Sequence, residues 1–187
     1  MDKSTKLKLP EILASKEVAK SRLVTVEQIE LKFSNNELRT YEKIKGAGRG
    51  AVLIVPLLNE DTIILIREYC AGTHSYQLGF PKGLIDAGEE PSEAANRELQ
   101  EEIKMAATEL TFVHKVSLAP AFFNATMEIF MASGLYESAL EGDEPEPLQI
   151  VHWKLSDYKN LLAQPDFTEA RSISALMLVK DLLKGNK

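Results

Sequence analysis

Glu98, Glu101 and Glu102 fall within the five-residue stretch "ELQEE" of a 187-residue chain. At about 100° per residue they share one side of a helix. Like charges three or four positions apart on a helix repel, by roughly 0.2–0.5 kcal/mol per pair. Hard divalent cations want oxygen ligands, and Mg2+ is held by a few carboxylates while it keeps waters and phosphate oxygens. A bound cation would turn the repulsion into attraction. The plainer reading is a solvated acidic helix face, so the surrounding residues decide between the two.

Upstream lies "FPKGLIDAGE", whose small residues let backbone groups approach ions and phosphates. Arg97 precedes the first carboxylate and can clamp Glu89 or a phosphate oxygen. A glycine loop that delivers a carboxylate-lined helix suits a pyrophosphate site. There, cations neutralise the diphosphate, orient an attacking water and stabilise the leaving oxygen.

These groups need a platform. Pro91 suits the first position of a helix, and Glu93 places a carboxylate near the positive end of its dipole. Ala95, Leu99 and Ile103 form a stripe beside the glutamates that can pack the helix on a sheet. Alternating apolar residues predict a hairpin from Leu23 to Ile44, turning at "SNNE". The runs "AVLIVPLL" and "TIILIREY" predict a second hairpin buried on both faces. Strands are expected at "LTFVHKVSL", "MEIFMASGLY" and "LQIVHWKL", and helices at "SDYKNLLAQ" and from Phe167 onward. The glycine-rich stretch from Cys70 to Glu90 reads as a loop. This pattern is α+β, with helices flanking a mixed sheet. Glycines around position 48 set off an N-terminal hairpin region, 1–48, from the remainder, 49–187.

The formal net charge of −6 argues against nucleic-acid binding, which needs clustered Lys and Arg. The one cysteine, Cys70, permits no intramolecular disulfide and fits a reducing compartment. The longest apolar run is too short to span a bilayer and contains a proline. No apolar segment follows the basic N-terminus, so no secretory signal is expected. A cytoplasmic protein without membrane attachment is the expectation.

The segment Gly83–Met105 resembles the Nudix box: glycine, five residues, Glu, seven residues, then Arg-Glu-apolar-x-Glu-Glu-x-Gly-apolar. Gly83, Glu89, Arg97, Glu98, Leu99, Glu101, Glu102 and Met105 fall in register. Lys104 departs from it, standing where the family has a helix-ending glycine. The resemblance implies a Nudix fold, an α/β/α sandwich with a mixed sheet. It also implies a hydrolase dependent on Mg2+, or Mn2+, with two or three ions cutting nucleoside diphosphates linked to another moiety. By position Glu98 and Glu102 would be the principal metal ligands, and Glu101 a further ligand or an alternative base. The Lys82 carbonyl would be a backbone ligand, and Glu89 would orient the loop through Arg97.

The flanking segments look like the ADP-ribose pyrophosphatase branch of that family. There Arg67 would contact substrate and Pro120 is the branch-marking proline. In "EPEPLQIVHW", Glu144 would accept the proton of the attacking water and Glu146 would be a further metal ligand. Phe122 could stack on adenine, and Arg49 could meet a phosphate or ribose. Gly79 and Ala125 replace glutamates usual in strict ADP-ribose enzymes, which implies broader use of ADP-linked compounds such as ADP-ribose, diadenosine triphosphate and NADH. The N-terminal hairpin is the expected homodimer contact. The rivals are a catalytically silent sensor of an ADP compound and a sugar-nucleotide hydrolase.

Overall fold

The run Ala51–Asn59 is the centre of the sheet, because Val52 to Pro56 are all buried and strands of this composition can face apolar layers on both sides. A computed structural model describes residues 7–46 and 48–185. It divides into two units, one made of the N-terminal strands with Ser117–Ala125, the other of Arg49–Val116 and Thr126 onward.

In the N-terminal unit, β1 (Glu11–Lys20), β2 (Thr25–Lys32) and β3 (Leu38–Lys45) form an antiparallel meander. The expected hairpin is therefore three-stranded. The added strand "EILASKEVAK" shows no period-two pattern because all ten of its residues are exposed, and nothing selects apolar residues on either face. β3 meets Phe123, at the tip of a later hairpin, in parallel register through Ile44.

In the larger unit, β4 (Ala51–Asn59) pairs antiparallel with β5 (Thr62–Cys70). The segment expected as one long loop holds two short strands, β6 (Ser75–Gly79) on β5 and β7 (Lys82–Leu84) on β4. Helix α1 (Pro91–Glu102) follows, then the hairpin β8 (Met105–Ala119) and β9 (Phe123–Glu137). β9 runs parallel to β4, so the sheet is mixed as expected. β10 (Gln149–Lys154) adds to the free side of β5 and leads through a 3-10 turn into α2 (Tyr158–Leu162) and α3 (Ala170–Gly185).

Side chains alternate across a strand. Val52, Ile54, Ile64 and Ile66 pack with Ala95 and Leu99 of α1 and with Ile103 at its C-terminal end, so the apolar stripe seats the helix on one face. Leu53, Val55, Ile63 and Leu65 turn to the other face and are equally buried. α3 also packs on β4 and buries Ala175, Leu176 and Val179. Among the described residues, no helix is long and apolar enough to cross a membrane.

Candidate active site

Helix α1 starts where the residues say it should. Pro91 occupies the first turn, and the Glu93 carboxylate accepts the Glu90 N–H at 3.1 Å, satisfying a donor that the helix leaves free. Leu99 is fully buried, so the helix cannot rotate, and Glu98 and Glu102, one residue before it and three after, sit at the edge on one flank. They are 8% and 7% exposed, which is rare for carboxylates that lack a full set of partners.

Glu98 explains Gly83. A Cβ built on Gly83 would lie 1.9 Å from Glu98 Oε1, so any larger residue would expel the carboxylate. Glu102 accepts the Lys82 N–H at 3.1 Å, which ties the helix to β7. The Lys82 ammonium is paired with Glu68, a cleft residue that the sequence did not single out. Burial pushes the Glu102 carboxyl up to about 9, against the pull of Lys82, and Glu98 and Glu68 add repulsion. Burial also raises Glu98, opposed by Arg97 and reinforced by Glu101 and Glu144.

Arg97 neutralises part of this charge. It grips Glu89 with two nitrogens, at 2.9 and 3.1 Å, and donates to the Leu84 carbonyl at 2.9 Å. Its Nη1 reaches Glu98 at 2.7 Å and Glu101 at 2.8 Å. Glu89 in turn accepts the Asp86 N–H at 2.9 Å, and its carboxyl is held below the usual range by Arg97. The box glutamate thus braces the loop through the arginine.

The cleft in front of α1 measures about 780 Å³, and its walls come from the larger unit. Glu98, Glu101, Glu102 and Glu144 all line it, with Glu141, Asp143 and Arg171 beside them. A second cavity of about 490 Å³ adjoins it, sharing Glu68 and Glu144. Arg67 and Glu146 line this neighbour, not the cleft. Arg67 is held by Asp166 at 2.8 Å and Gln149 at 2.5 Å. Glu146 accepts the Tyr76 hydroxyl at 2.5 Å, which raises the phenol. Arg49 is exposed in the bend before β4. Pro120 and Phe122 belong to the N-terminal unit, where the Phe122 carbonyl accepts the Ile44 N–H at 2.7 Å and its ring is half exposed.

The donor set suits a hard cation: carboxylate oxygens from a fixed helix, opposite carboxylates on a loop, and two that burial leaves under-compensated. Among the described residues, no three metal-binding side chains already surround one point. Arg97 Nη1 holds both Glu98 and Glu101.

Two family models match the chain, a NudE-type Nudix hydrolase N-terminal domain over residues 10–43 and the NUDIX domain over residues 48–177. The chain belongs to the Nudix family. It is similar to the ADP compounds hydrolase NudE of Escherichia coli (strain K12), 54% identical over 182 residues and covering 97% of each chain. An ADP-ribose pyrophosphatase of Bacillus subtilis (strain 168) is 26% identical, covering 94% of this chain and 98% of its own. A crystal structure of an ADP compounds hydrolase superposes with a TM-score of 0.93 at 54% identity, covering 98% of both chains. The fold is the Nudix fold, and the chain is a pyrophosphohydrolase of that family. Nudix hydrolases generally use divalent metals such as Mg2+, and Glu98 and Glu102 stand at the two glutamate positions of the box that this fold buries against the cleft.

Lys104, the departure from the Nudix box, takes the left-handed backbone conformation that favours glycine, with φ at +59°. Gly79 also has a local reason. A Cβ there would lie 3.0 Å from the buried Ser172 Oγ, so a larger residue at this position would press on that side chain.

Proposed function

We propose that this protein hydrolyses the pyrophosphate bond of ADP-linked compounds, releasing AMP and ribose 5-phosphate from ADP-ribose. The observation that carries this reading is the convergence of the box carboxylates Glu98, Glu101 and Glu102 on one cleft, in a chain similar over its length to an ADP compounds hydrolase.

Glu98 and Glu102 would hold the divalent cations, Mg2+ or Mn2+, two or three to a site, with Glu101 and the Lys82 carbonyl as further ligands. The bound cations would supply charge neutralisation for the diphosphate and acidify a water. The chain's own groups do the rest. Arg97 and Glu89 hold the glycine loop open to the substrate. Glu144 faces the helix carboxylates across the cleft and takes the proton of the attacking water, a role that suits a group on a loop able to follow the substrate. Arg67 and Glu146, in the adjoining cavity, would meet the moiety beyond the diphosphate. Arg49 would meet a phosphate or ribose. The glycine at position 79 supports broad use of ADP-linked compounds over strict ADP-ribose specificity. The N-terminal meander, with its exposed Ile12, Leu13 and Val18, would pair two copies as a homodimer in the cytoplasm.

Chromatographic detection of AMP tests the core of the proposal. ADP-ribose, diadenosine triphosphate, NADH and a sugar nucleotide such as GDP-mannose are each supplied with Mg2+, with Mn2+ and with a chelator. Release of AMP from the ADP compounds with metal alone is expected. Binding without turnover would mark a sensor, and preference for GDP-mannose a sugar-nucleotide hydrolase; either result overturns the reading.

A further inference from the structure

Lys104 is one of three non-glycine residues with positive φ among the described residues, the others being Asn36 and His74. A long side chain in this left-handed region is disfavoured, because its Cβ crowds the backbone. The side chain here has an occupation that a glycine could not perform. Its Nζ donates to the Glu101 carbonyl at 2.8 Å and to the Leu140 carbonyl at 2.6 Å. The first acceptor is one of the last carbonyls of α1, where a positive charge is favourable; the helix itself has no basic residue in its last turn. The second lies at the entry of the acidic loop.

The surrounding contacts make this a junction. Leu140 N–H reaches the Gln100 carbonyl at 3.1 Å, Ser138 N–H reaches the Lys104 carbonyl at 3.2 Å, and Ser138 Oγ meets Gln100 Oε1 at 2.9 Å. The chain then passes over the helix end. A Cβ on Gly142 would lie 3.3 Å from the same Glu101 carbonyl and 2.3 Å from Glu144 Oε2. From Leu140 to Glu144 is four residues, so the lysine bond, together with the Leu140 and Ser138 bonds, anchors the point from which the Glu144 carboxylate hangs.

We propose that Lys104 is a positioning residue, a strut between the end of α1 and the acidic loop that sets the reach of Glu144 into the cleft. The proposal rests on the reading of Glu144 as proton acceptor. The strut leaves the helix carboxylates untouched, so its loss acts on the loop and on turnover, not on the cation-binding face.

Lys104→Gly, Lys104→Met and Lys104→Arg test it. Glycine relieves the backbone and removes the strut, so the thermal midpoint should not fall while kcat drops by up to about 10²-fold, the scale of a displaced catalytic group. KM and Mg2+ affinity should stay near their starting values. Amide exchange in residues 139–147 should quicken in the glycine and methionine variants, with exchange in β4 and β5 unchanged, and arginine should restore most of the rate. In a Glu144→Gln background, Lys104→Met should cost almost nothing further. Unaltered loop exchange in Lys104→Met overturns the strut, whatever the role of Glu144. Unaltered turnover in Glu144→Gln overturns the reading of Glu144 and leaves the exchange result to stand by itself.

Discussion

Glu102 and Glu144 line one cleft but are held by opposite means. Glu102 leaves a helix whose neighbours Leu99 and Ile103 lie in the core, and it is 7% exposed, with a backbone N–H from β7 on its carboxylate. Glu144 hangs between Asp143 and Pro145 in a stretch without helix or strand, part exposed, tied down through residues on either side. The contrast separates two demands on carboxylates. Groups that must hold several cations in fixed geometry belong on a rigid element even though burial makes their charge costly. A group that must follow a water toward a phosphorus belongs on a loop that can close.

The largest effect is expected at the rigid side. Glu102→Gln should bring turnover down to the metal-free background, with Mg2+ binding by calorimetry weakened in step. The same change should stabilise the metal-free protein. With the folded carboxyl raised to about 9, the native state holds a proton that the unfolded chain releases in the ordinary carboxylate range. Stability is then fully present below that range and is lost as pH rises toward about 9. Glutamine removes this slope, so its advantage in thermal midpoint over the parent should grow from about pH 5 to about pH 9 in chelator. Equal midpoints across that window, or equal turnover, would show that Glu102 is an ordinary surface acid.

On the loop side the pattern should reverse. Glu144→Gln should slow kcat by about 10²–10⁴, the range of a positioned acid–base group, and leave Mg2+ affinity and the thermal midpoint nearly unchanged. A variant that keeps its rate would move the base onto Glu101 or Glu98, and the division of labour between helix and loop would disappear.

The rigid half was legible in the residues, and the mobile half much less so. A helix with 3.6-residue periodicity has only one way to bury Ala95, Leu99 and Ile103, and that choice places Glu98 and Glu102 without further information. Gly83 was readable as part of a glycine loop, though its reason, the Glu98 carboxylate against its Cα, exists only in three dimensions. β1 escaped because a strand exposed on both faces carries no pattern. Glu68 escaped because its significance lies in Lys82, fourteen residues away and across the sheet. The loop gave its composition but not its tethers. Nothing in "EGDEPEP" says that Glu144 lines the cleft as well as the adjoining cavity, while Glu146, two residues on, lines only the second of these and meets a tyrosine.

That last division yields the smallest and most discriminating effect. The Tyr76 hydroxyl donates to Glu146 Oε1, a hydrogen bond between exposed groups that competes with a cation for that oxygen. Tyr76→Phe removes this competition while it keeps the ring packed edge-on against Tyr69. If Glu146 joins the cations, apparent Mg2+ affinity should rise by less than about tenfold and kcat should hold or increase slightly. If Glu146 belongs instead to the wall of the adjoining cavity, Mg2+ affinity should not move, and KM should shift differently for ADP-ribose and diadenosine triphosphate, whose outer moieties differ in size. Titrating Mg2+ against both substrates in this one variant therefore decides whether the loop contributes one carboxylate to the chemistry or two.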